Sequence, residues 1–600
     1  MLSLLLPLLI QASVQSQDLA DAYLVDHNLN GTAVLTSSLG HSQTANRTLY
    51  ARHIDGVPIR GEAIKVLEFH DGTTMVLAVD SDYSKLQAEA AISADQATAI
   101  ALNARAAVED TESLLIKGNV PHAGTRLPES SRLMWHNKSL IYEVRLHVDG
   151  DGRWEEDILI DAQTGAVIEV QDLRLTCCAP VANGTGMVFD PNPVQTANNH
   201  SFNDSNDSNN SIPSSEYFSV TLRDLDGSGY LQGPHCSTSP TSGRANEASL
   251  NFNYQRNNNK FEEVVVYYSM TEFQNYLQTI GHNNANNRQQ KVDVNGSSSD
   301  NSWFSTGSRE ITFGYGGVDD GEDADIIIHE YGHALHYDVQ GSIGSGQNGA
   351  MSEGYGDYFA ASFYNDALVG EWDAVSYTNG PYHYLRRVDG NKHYPNSLVN
   401  QVHSDGEIWS AGLWDFRMSV GREIADNIIV EAMSLQSSNT NMASAANMLL
   451  TAEQQLYGGK YAPFLHWSMS RRGFINLPSG TFSLDPQDSS PIAGNTVSLN
   501  IDGSGFGGST FQILVSRQPG EYSIGAPHNA IINVGLDLLN ASLNYSAFSG
   551  VLNSAGAATV SMQIPAGFTN KEFTLQAFVL DQNNNIAEVS LPCGVREGIH

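Results

Sequence analysis

Apolar and polar residues alternate through Ile64-Lys65-Val66-Leu67-Glu68-Phe69, the pattern of a half-buried strand, and a Gly-containing turn within Ile54–Gly61 leads into it. The run Ser93-Ala-Asp-Gln-Ala-Thr-Ala-Ile-Ala-Leu102 predicts a helix with Ser93 as its N-cap. Strand patterns resume at Leu140–Leu146 and at Trp154–Ala162, before the turn Gln163-Thr164-Gly165. Residues 18–175 therefore read as one α+β region. From Pro180 to Pro213 the chain is rich in Asn, Ser, Asp and Pro and reads as loop, as does the Asn-rich patch 283–287. Between them, Phe261–Tyr268 runs into a helical pattern that continues to Leu277. The apolar run 324–328, extended through Leu335, predicts a buried central helix.

Past residue 478 the character changes. Thr496–Ile501, Thr510–Val515 and Phe573–Leu580 alternate or run apolar between Gly, Asn and Asp turns, which predicts an immunoglobulin-like β-sandwich over residues 482–600. The expected fold class is thus multidomain α+β. Six hundred residues exceed a single core and set an expectation of two to four domains. With 31 basic against 66 acidic residues the formal charge is −35, so the electrostatic footprint of a nucleic-acid partner is absent. The first 17 residues, a short apolar run followed by small and polar residues, suit a secretory signal peptide. They fall short of the roughly 20 apolar residues that a membrane span requires, and no later stretch reaches it. The protein is therefore expected outside the cell, with no integral membrane segment. Export permits disulfides, and of Cys177, Cys178, Cys236 and Cys593 one of the vicinal pair is expected to bridge to Cys236.

The chemistry concentrates at His329-Glu330-Tyr331-Gly332-His333. On a helix, positions i and i+4 share a face, so both imidazoles can reach one ion while Glu330 stands one step round, placed to take the proton of a water. Farther on, Met351-Ser352-Glu353-Gly354-Tyr355-Gly356-Asp357 fits a second helix with Glu353 and Asp357 on one face. Two His and one Glu leave a tetrahedral zinc ion an open position, the mark of a catalytic site; a structural zinc would recruit thiolates. Glu330 is then the general base and acid, and Asp357 a hydrogen-bond partner that fixes a ligand imidazole. His336 reads as a satisfied helix residue, and Asp325 either lines a cation site or caps a turn. Asp224-Leu225-Asp226-Gly227-Ser228-Gly229 has the alternating carboxylates of a short calcium (Ca2+) loop without its distant bidentate Glu, or is a plain acidic turn.

Several segments resemble one family of zinc (Zn2+) metallopeptidases. Gly349–Asp357 resembles the third-ligand segment of fungalysins, as do Val402-His403-Ser404-Asp405-Gly406-Glu407-Ile408-Trp409, Gly412-Leu413-Trp414-Asp415 and Arg471-Arg472-Gly473 in the same order. Gly56-Val57-Pro58-Ile59-Arg60-Gly61 is similar to the propeptide motif of fungalysins and thermolysins, and the helix from Ser93 together with the stretch from Tyr142 to Val167 looks like a PepSY domain. The resemblance implies a thermolysin-like catalytic domain over residues 180–478, with a mixed β part carrying the His-Glu helix and a mainly helical part after it. It implies that His403 donates to the developing oxyanion, that Arg386 (with Arg387 competing) binds a substrate carbonyl, and that Asn301 lies on a strand edge that pairs with an extended peptide. The family's oxyanion tyrosine has no counterpart in Gly341–Gly346; either Tyr382 or Tyr384 substitutes, or His403 and zinc suffice. Gly332 is a poor helix former that a close-packed neighbour could demand.

The expectation is a secreted zinc endopeptidase made as a zymogen. Its polypeptide partners are its substrates and its own propeptide, which acts as folding aid and inhibitor until cleaved near residues 173–185. The alternatives are a zinc exopeptidase of the same chemistry and a non-catalytic, zinc-stabilised exported binding protein.

Overall fold

The computed structural model describes residues 16–27, 29, 31–41, 44–69, 72–78, 90–106, 126–136, 138–148, 155–172, 182–377, 383–476, 482–487, 495–517, 519–524, 530–535, 537–564 and 572–596. The chain divides into two compact units, one of residues 1–188, 219–274 and 284–321, the other of residues 189–218, 275–283 and 322–600.

The first unit opens with helix α1 (residues 16–26) and strands β1 (Thr32–His41), β2 (Ala45–Ile54), β3 (Val57–Phe69) and β4 (Thr74–Ala78). After α2 (Ala94–Ala106) come β5 (Arg126–His136), β6 (Ser139–Val148), β7 (Glu155–Asp161) and β8 (Val167–Asp172). These strands form one eight-stranded sheet in the order β1-β2-β3-β5-β6-β7-β8, with β4 on β3. Two separate cores lie along it: α1 packs Ala20 and Leu24 against Tyr50, Ile64 and Val66, and α2 packs Ala97 and Ala101 against Trp135, Val144 and Ile158. Local chemistry fixes the elements. Asp55 and Gly56 (φ 52° and 81°) supply the left-handed pair that a two-residue β2–β3 hairpin needs. Ser93 and Gln96 form a reciprocal cap, the Ser93 N–H donating to Gln96 Oε1 (2.8 Å) and the Gln96 N–H to Ser93 Oγ (3.2 Å). Ser16, at the edge of the expected leader, hydrogen-bonds the Tyr50 hydroxyl, and residues 1–15 lie outside the described residues.

Next come β9 (Ala182–Val188), α3 (Pro193–Ala197, in the second unit), β10 (Phe218–Leu225), β11 (Cys236–Ser237), β12 (Asn251–Phe252) and α4 (Phe261–Thr279). They are followed by β13 (Gln290–Ser297), β14 (Trp303–Phe304) and β15 (Glu310–Gly314). They give a β10-β9-β12 sheet and a β11-β13-β15-β14 sheet with β14 at its edge. The expected loop from Pro180 is thus corrected at residues 182–188, which form a strand. Its glycines made it look irregular, but they are required by packing: a Cβ on Gly184 would lie 2.4 Å from Leu250 O, and one on Gly186 2.5 Å from Val264 Cγ1. The expected bridge to Cys236 is also corrected, because Cys236 is a buried free thiol 4.0 Å from Met270 Sδ; Cys177 and Cys178 lie outside the described residues.

The second unit holds α5 (Ala324–Gln340), α6 (Gln347–Tyr364), and the short pair β16 (Leu368–Val369) and β17 (Arg386–Arg387). Four helices follow: α7 (Val402–Val420), α8 (Arg422–Ser434), α9 (Met442–Tyr457) and α10 (Ala462–Arg471). Its remaining elements are β18 (Ser483–Pro486), β19 (Thr496–Asp502), β20 (Thr510–Ser516), β21 (Pro519–Ile524), β22 (Ala530–Val534), α11 (Leu539–Asn544), β23 (Ser549–Val551), β24 (Ala557–Gln563), β25 (Glu572–Leu580), β26 (Ile586–Val589) and β27 (Cys593–Arg596). The sheet β18-β19-β24 and the sheet around β20 and β25 bury one common core, with Leu499, Val560, Ile513 and Ala577 in it. Trp467 of α10 belongs to that core, and its indole N–H donates to Leu484 O (3.2 Å). The helices and this β region are therefore packed as one body within the unit. Among the described residues, no helix is long and apolar enough to cross a membrane.

Candidate active site

Three helices meet through glycines. A Cβ on Gly332 of α5 would lie 2.8 Å from Gly356 Cα of α6, and one on Gly356 would lie 2.6 Å from His329 Nδ1. A Cβ on Gly354 of α6 would lie 2.6 Å from Gly406 O of α7, and one on Gly406 would lie 2.9 Å from Glu353 Cβ. Any side chain at these positions would push the backbones apart, so the glycine that weakens α5 as a helix is what lets α6 bring Glu353 up to the two histidines.

The result is a converging donor set. Ligand atoms of His329, His333 and Glu353 lie within 4.8 Å of one another. Glu353 Oε2 is 3.4 Å from His329 Nε2, and Glu353 Oε1 is 3.8 Å from His333 Nε2. The other imidazole nitrogens are occupied. His329 Nδ1 pairs with Asp357 Oδ1 (2.9 Å), and His333 Nδ1 with Ser352 Oγ (2.8 Å), which turns both Nε2 atoms toward the common centre. Glu330 is buried on the same helix. His403, half exposed at the start of α7, aims Nε2 at Glu353 Oε2 from 3.3 Å.

Arg386 grips Asp357 in a two-pronged contact, Nε to Oδ2 and Nη2 to Oδ1, both at 2.8 Å. Its competitor Arg387 instead pairs with Asp389, 2.5 Å from Nε to Oδ1. The α7 start is held by Lys392, whose ammonium contacts Glu407 and donates to Ser404 O and Oγ (both 2.9 Å).

These contacts set the charges. Burial opposes ionisation of Glu353, but His333 and His329 outweigh it and hold the carboxyl down at about 2. Burial likewise opposes Asp357, and Arg386 and His329 hold it far below the usual carboxylate range. Burial lowers His333 to about 4, leaving it neutral at physiological pH. For His329, burial is overcome by the hydrogen bonds to Asp357 and Glu353, and the imidazole rises to about 10. A divalent ion of the zinc type would have to displace the Nε2 proton of His329; with that proton gone, two inward-facing Nε2 atoms and a carboxylate kept ionised fit such an ion.

The remaining predicted positions separate. His336 is a buried helix residue, hydrogen-bonded to Gln340 Oε1 (2.9 Å) and packed on Tyr355. Asp323, rather than Asp325, caps α5 by accepting from the Asp325 N–H (3.0 Å). Asp325 is buried, with Oδ2 accepting from the Gly370 N–H (3.1 Å) and Oδ1 without a hydrogen bond. Asp226 Oδ1 accepts from the Ser228 N–H (2.9 Å), as in an acidic turn. Among the described residues, Asp224 and Asp226 join no set of three converging metal donors. Asn301 belongs to the first unit and is exposed just before edge strand β14. Tyr382 lies outside the described residues, and Tyr384 precedes β17.

Residues 192–475 match the family model described as fungalysin metallopeptidase (M36), and residues 91–171 match that of the peptidase propeptide and YPEB (PepSY) domain. The region 192–475 is a fungalysin-family domain. Within it the chain is 24% identical over 192 residues to extracellular metalloproteinase MEP of Neosartorya fischeri, and 25% identical over 190 residues to extracellular metalloproteinase 2 of Trichophyton tonsurans. Each alignment covers 25% of this chain and 30% of the relative, so the chain spans less than a third of the curated relatives it matches. Among solved structures, the precursor of protealysin from Serratia proteamaculans aligns with a TM-score of 0.33 and 16% identity over 36% of this chain and 79% of that one.

All eight predicted site residues fall inside the fungalysin-type domain. Ser352, Gly354, Gly356 and Gly406 stand in the motif segments, but their supporting roles, and Lys392 altogether, escaped the sequence reading. Ser352 and Gly354 adjoin Glu353 in sequence, but what each of these residues touches lies on another helix, so sequence alone did not assign the contact.

Proposed function

We propose that this protein is a secreted zinc-dependent endopeptidase made as a zymogen. The observation that carries the reading is the convergence of His329, His333 and Glu353 beside Glu330, with the His403 Nε2 3.3 Å from Glu353. A zinc ion held by His329, His333 and Glu353 would supply Lewis acidity, polarising the peptide carbonyl and easing deprotonation of water near neutral pH. Glu330 takes the proton from the attacking water and delivers it to the departing amine nitrogen. His403 donates its Nε2–H to the carbonyl oxygen as negative charge develops, an interaction worth about 3 kcal/mol in comparable sites. Asp357 and Ser352 keep the two ligand imidazoles oriented. Arg386 holds Asp357 and binds a substrate carbonyl, while Asn301 pairs with the backbone of an extended peptide.

Within this reading residues 1–17 are the leader, 18–175 the inhibitory propeptide, 180–478 the catalytic domain and 482–600 an immunoglobulin-like sandwich. The extracellular relatives and the PepSY match support export and zymogen control. Casein incubated with the matured protein tests the proposal: cleavage is expected, abolished by a chelator and restored by zinc. Casein left intact by metal-replete protein would overturn it.

A further inference from the structure

The first unit contains a cavity of about 440 Å³ that has no part in the peptidase reading. It lies between the turn 241–243, residues 257–260 ahead of α4, the end of β13, and Tyr315 just after β15. Its walls are fixed by the chain's own bonds. Thr241 Oγ1 donates to Val292 O (3.3 Å) and accepts from the Val294 N–H (2.9 Å), which ties the turn to β13. Asn258 closes the start of α4: its Oδ1 accepts from the Lys260 N–H (3.1 Å) and its backbone O from the Phe261 N–H (2.8 Å). The Tyr315 N–H donates to Ser297 O (2.9 Å). The lining is set apart from the rest of the chain, which carries 66 acidic against 31 basic residues. Among the described residues, no acidic side chain lines the cavity, and Lys260 is its single charged one, with its ammonium 5.6 Å from the centre of the Tyr254 ring.

Asn295 decides the ligand class. Its Nδ2 faces Asn259 O at 3.4 Å, and because a carbonyl only accepts, that end of the amide is the NH2 and the other end is the oxygen. That Oδ1 is buried, and among the described residues it accepts no hydrogen bond. It therefore calls for a donor on the ligand. A sulfate or a carboxylate brings none, whereas a sugar hydroxyl both donates and accepts, as amides and the Ser242 hydroxyl can in return. The ring of Tyr315, 47% exposed, offers an apolar face with a polar tip. A peptide side chain would need an apolar wall, but the aliphatic lining residue, Val294, is itself buried. We infer that this cavity binds a pyranose sugar, as a mono- or disaccharide unit, with Asn295 Oδ1 accepting from a hydroxyl and Tyr315 packing on the ring face. The volume falls within the roughly 300–1,000 Å³ of small-molecule pockets. The inference needs neither zinc nor peptide cleavage, so it goes beyond the peptidase reading and does not depend on it.

The test is calorimetric titration of the full chain with cellobiose, maltose and N,N′-diacetylchitobiose, and separately with sodium sulfate and triglycine. Saturable binding of at least one disaccharide is expected, without binding of sulfate or triglycine. Tyr315→Ala should weaken that binding by about 10-fold, and Tyr315→Phe should leave it close to the wild type. Asn295→Gly, chosen because Asn295 has a φ of 59° that glycine adopts freely, should also weaken it by about 10-fold. The melting temperature of each variant, taken alongside, separates a lost contact from a lost fold. No binding of any of the three sugars would overturn the inference. So would sugar binding that survives both Tyr315→Ala and Asn295→Gly, or binding of sulfate or triglycine alone. Sugar binding that is lost in both folded variants, in a protein that leaves casein intact, supports the site and removes the peptidase reading instead.

Discussion

Two groups of buried carboxylates flank the same helix, and they behave in opposite ways. Beside the middle of α5, Glu353 is held at about 2 and Asp357 far below the usual range. At its start, burial lifts Asp323 to about 6, burial together with Asp323, Glu371 and Asp366 pushes Asp325 well above its ordinary value, and burial together with Asp366 and Asp323 pushes Glu371 to about 9. Burial does not distinguish them, since Asp357 is 0% exposed, Asp325 1% and Glu371 3%. The difference lies in the partners. The first group faces Arg386 and two imidazoles, while the second receives backbone N–H groups and the Asn192 amide and otherwise meets other carboxylates. Desolvation is met with cations in one place and left to raise the pKa in the other. A carboxylate that stays ionised in a dry site is ready to bind metal.

The largest break in this contrast comes from removing a donor. Glu353→Ala should abolish both stoichiometric zinc binding and casein cleavage, read by metal analysis alongside the assay. Next, Arg386→Ala strips Asp357 of its cation and makes the first group resemble the second. With an uncompensated buried charge left behind, stability should fall by about 3–5 kcal/mol in a denaturant titration, and by less for Arg386→Lys. Asp357→Asn removes the charge but keeps the shape, so zinc affinity should drop by about 10–100-fold in a competition titration while the fold survives.

Legibility in the sequence followed the range of the interaction. The pair His329 and His333, and the pair Glu353 and Asp357, could be read because each spans four residues on one helix. The contacts that join the helices could not: nothing local says that Gly332 must face Gly356, or Gly354 face Gly406. Nor does spacing say that the fork of Arg386 closes on a carboxylate 29 residues earlier. The strand at Ala182–Val188 was mistaken for loop for the same reason, its glycines answering to Leu250 and Val264 far along the chain. The Cys236 bridge failed because cysteine spacing gives no geometry.

The smallest expected effect sharpens the second group. Glu371 has a folded-state value near 9 against an ordinary 4.5, so between those limits the folded chain binds the extra proton. Its contribution to stability is therefore greatest toward the acid side of that window and is lost as pH rises toward 9. The melting temperature of the chelated protein should fall between about pH 6 and pH 8, and Glu371→Gln should flatten that slope.

The most direct test of the account separates holding the metal from using it. Zinc stoichiometry and casein cleavage would be measured on the same matured preparation of Glu330→Gln. The expected result is one equivalent of zinc, bound as in the wild type, with cleavage slowed by about 10³-fold. Undiminished cleavage, or loss of the zinc together with the activity, would contradict a role for Glu330 as the proton carrier beside a centre built by His329, His333 and Glu353.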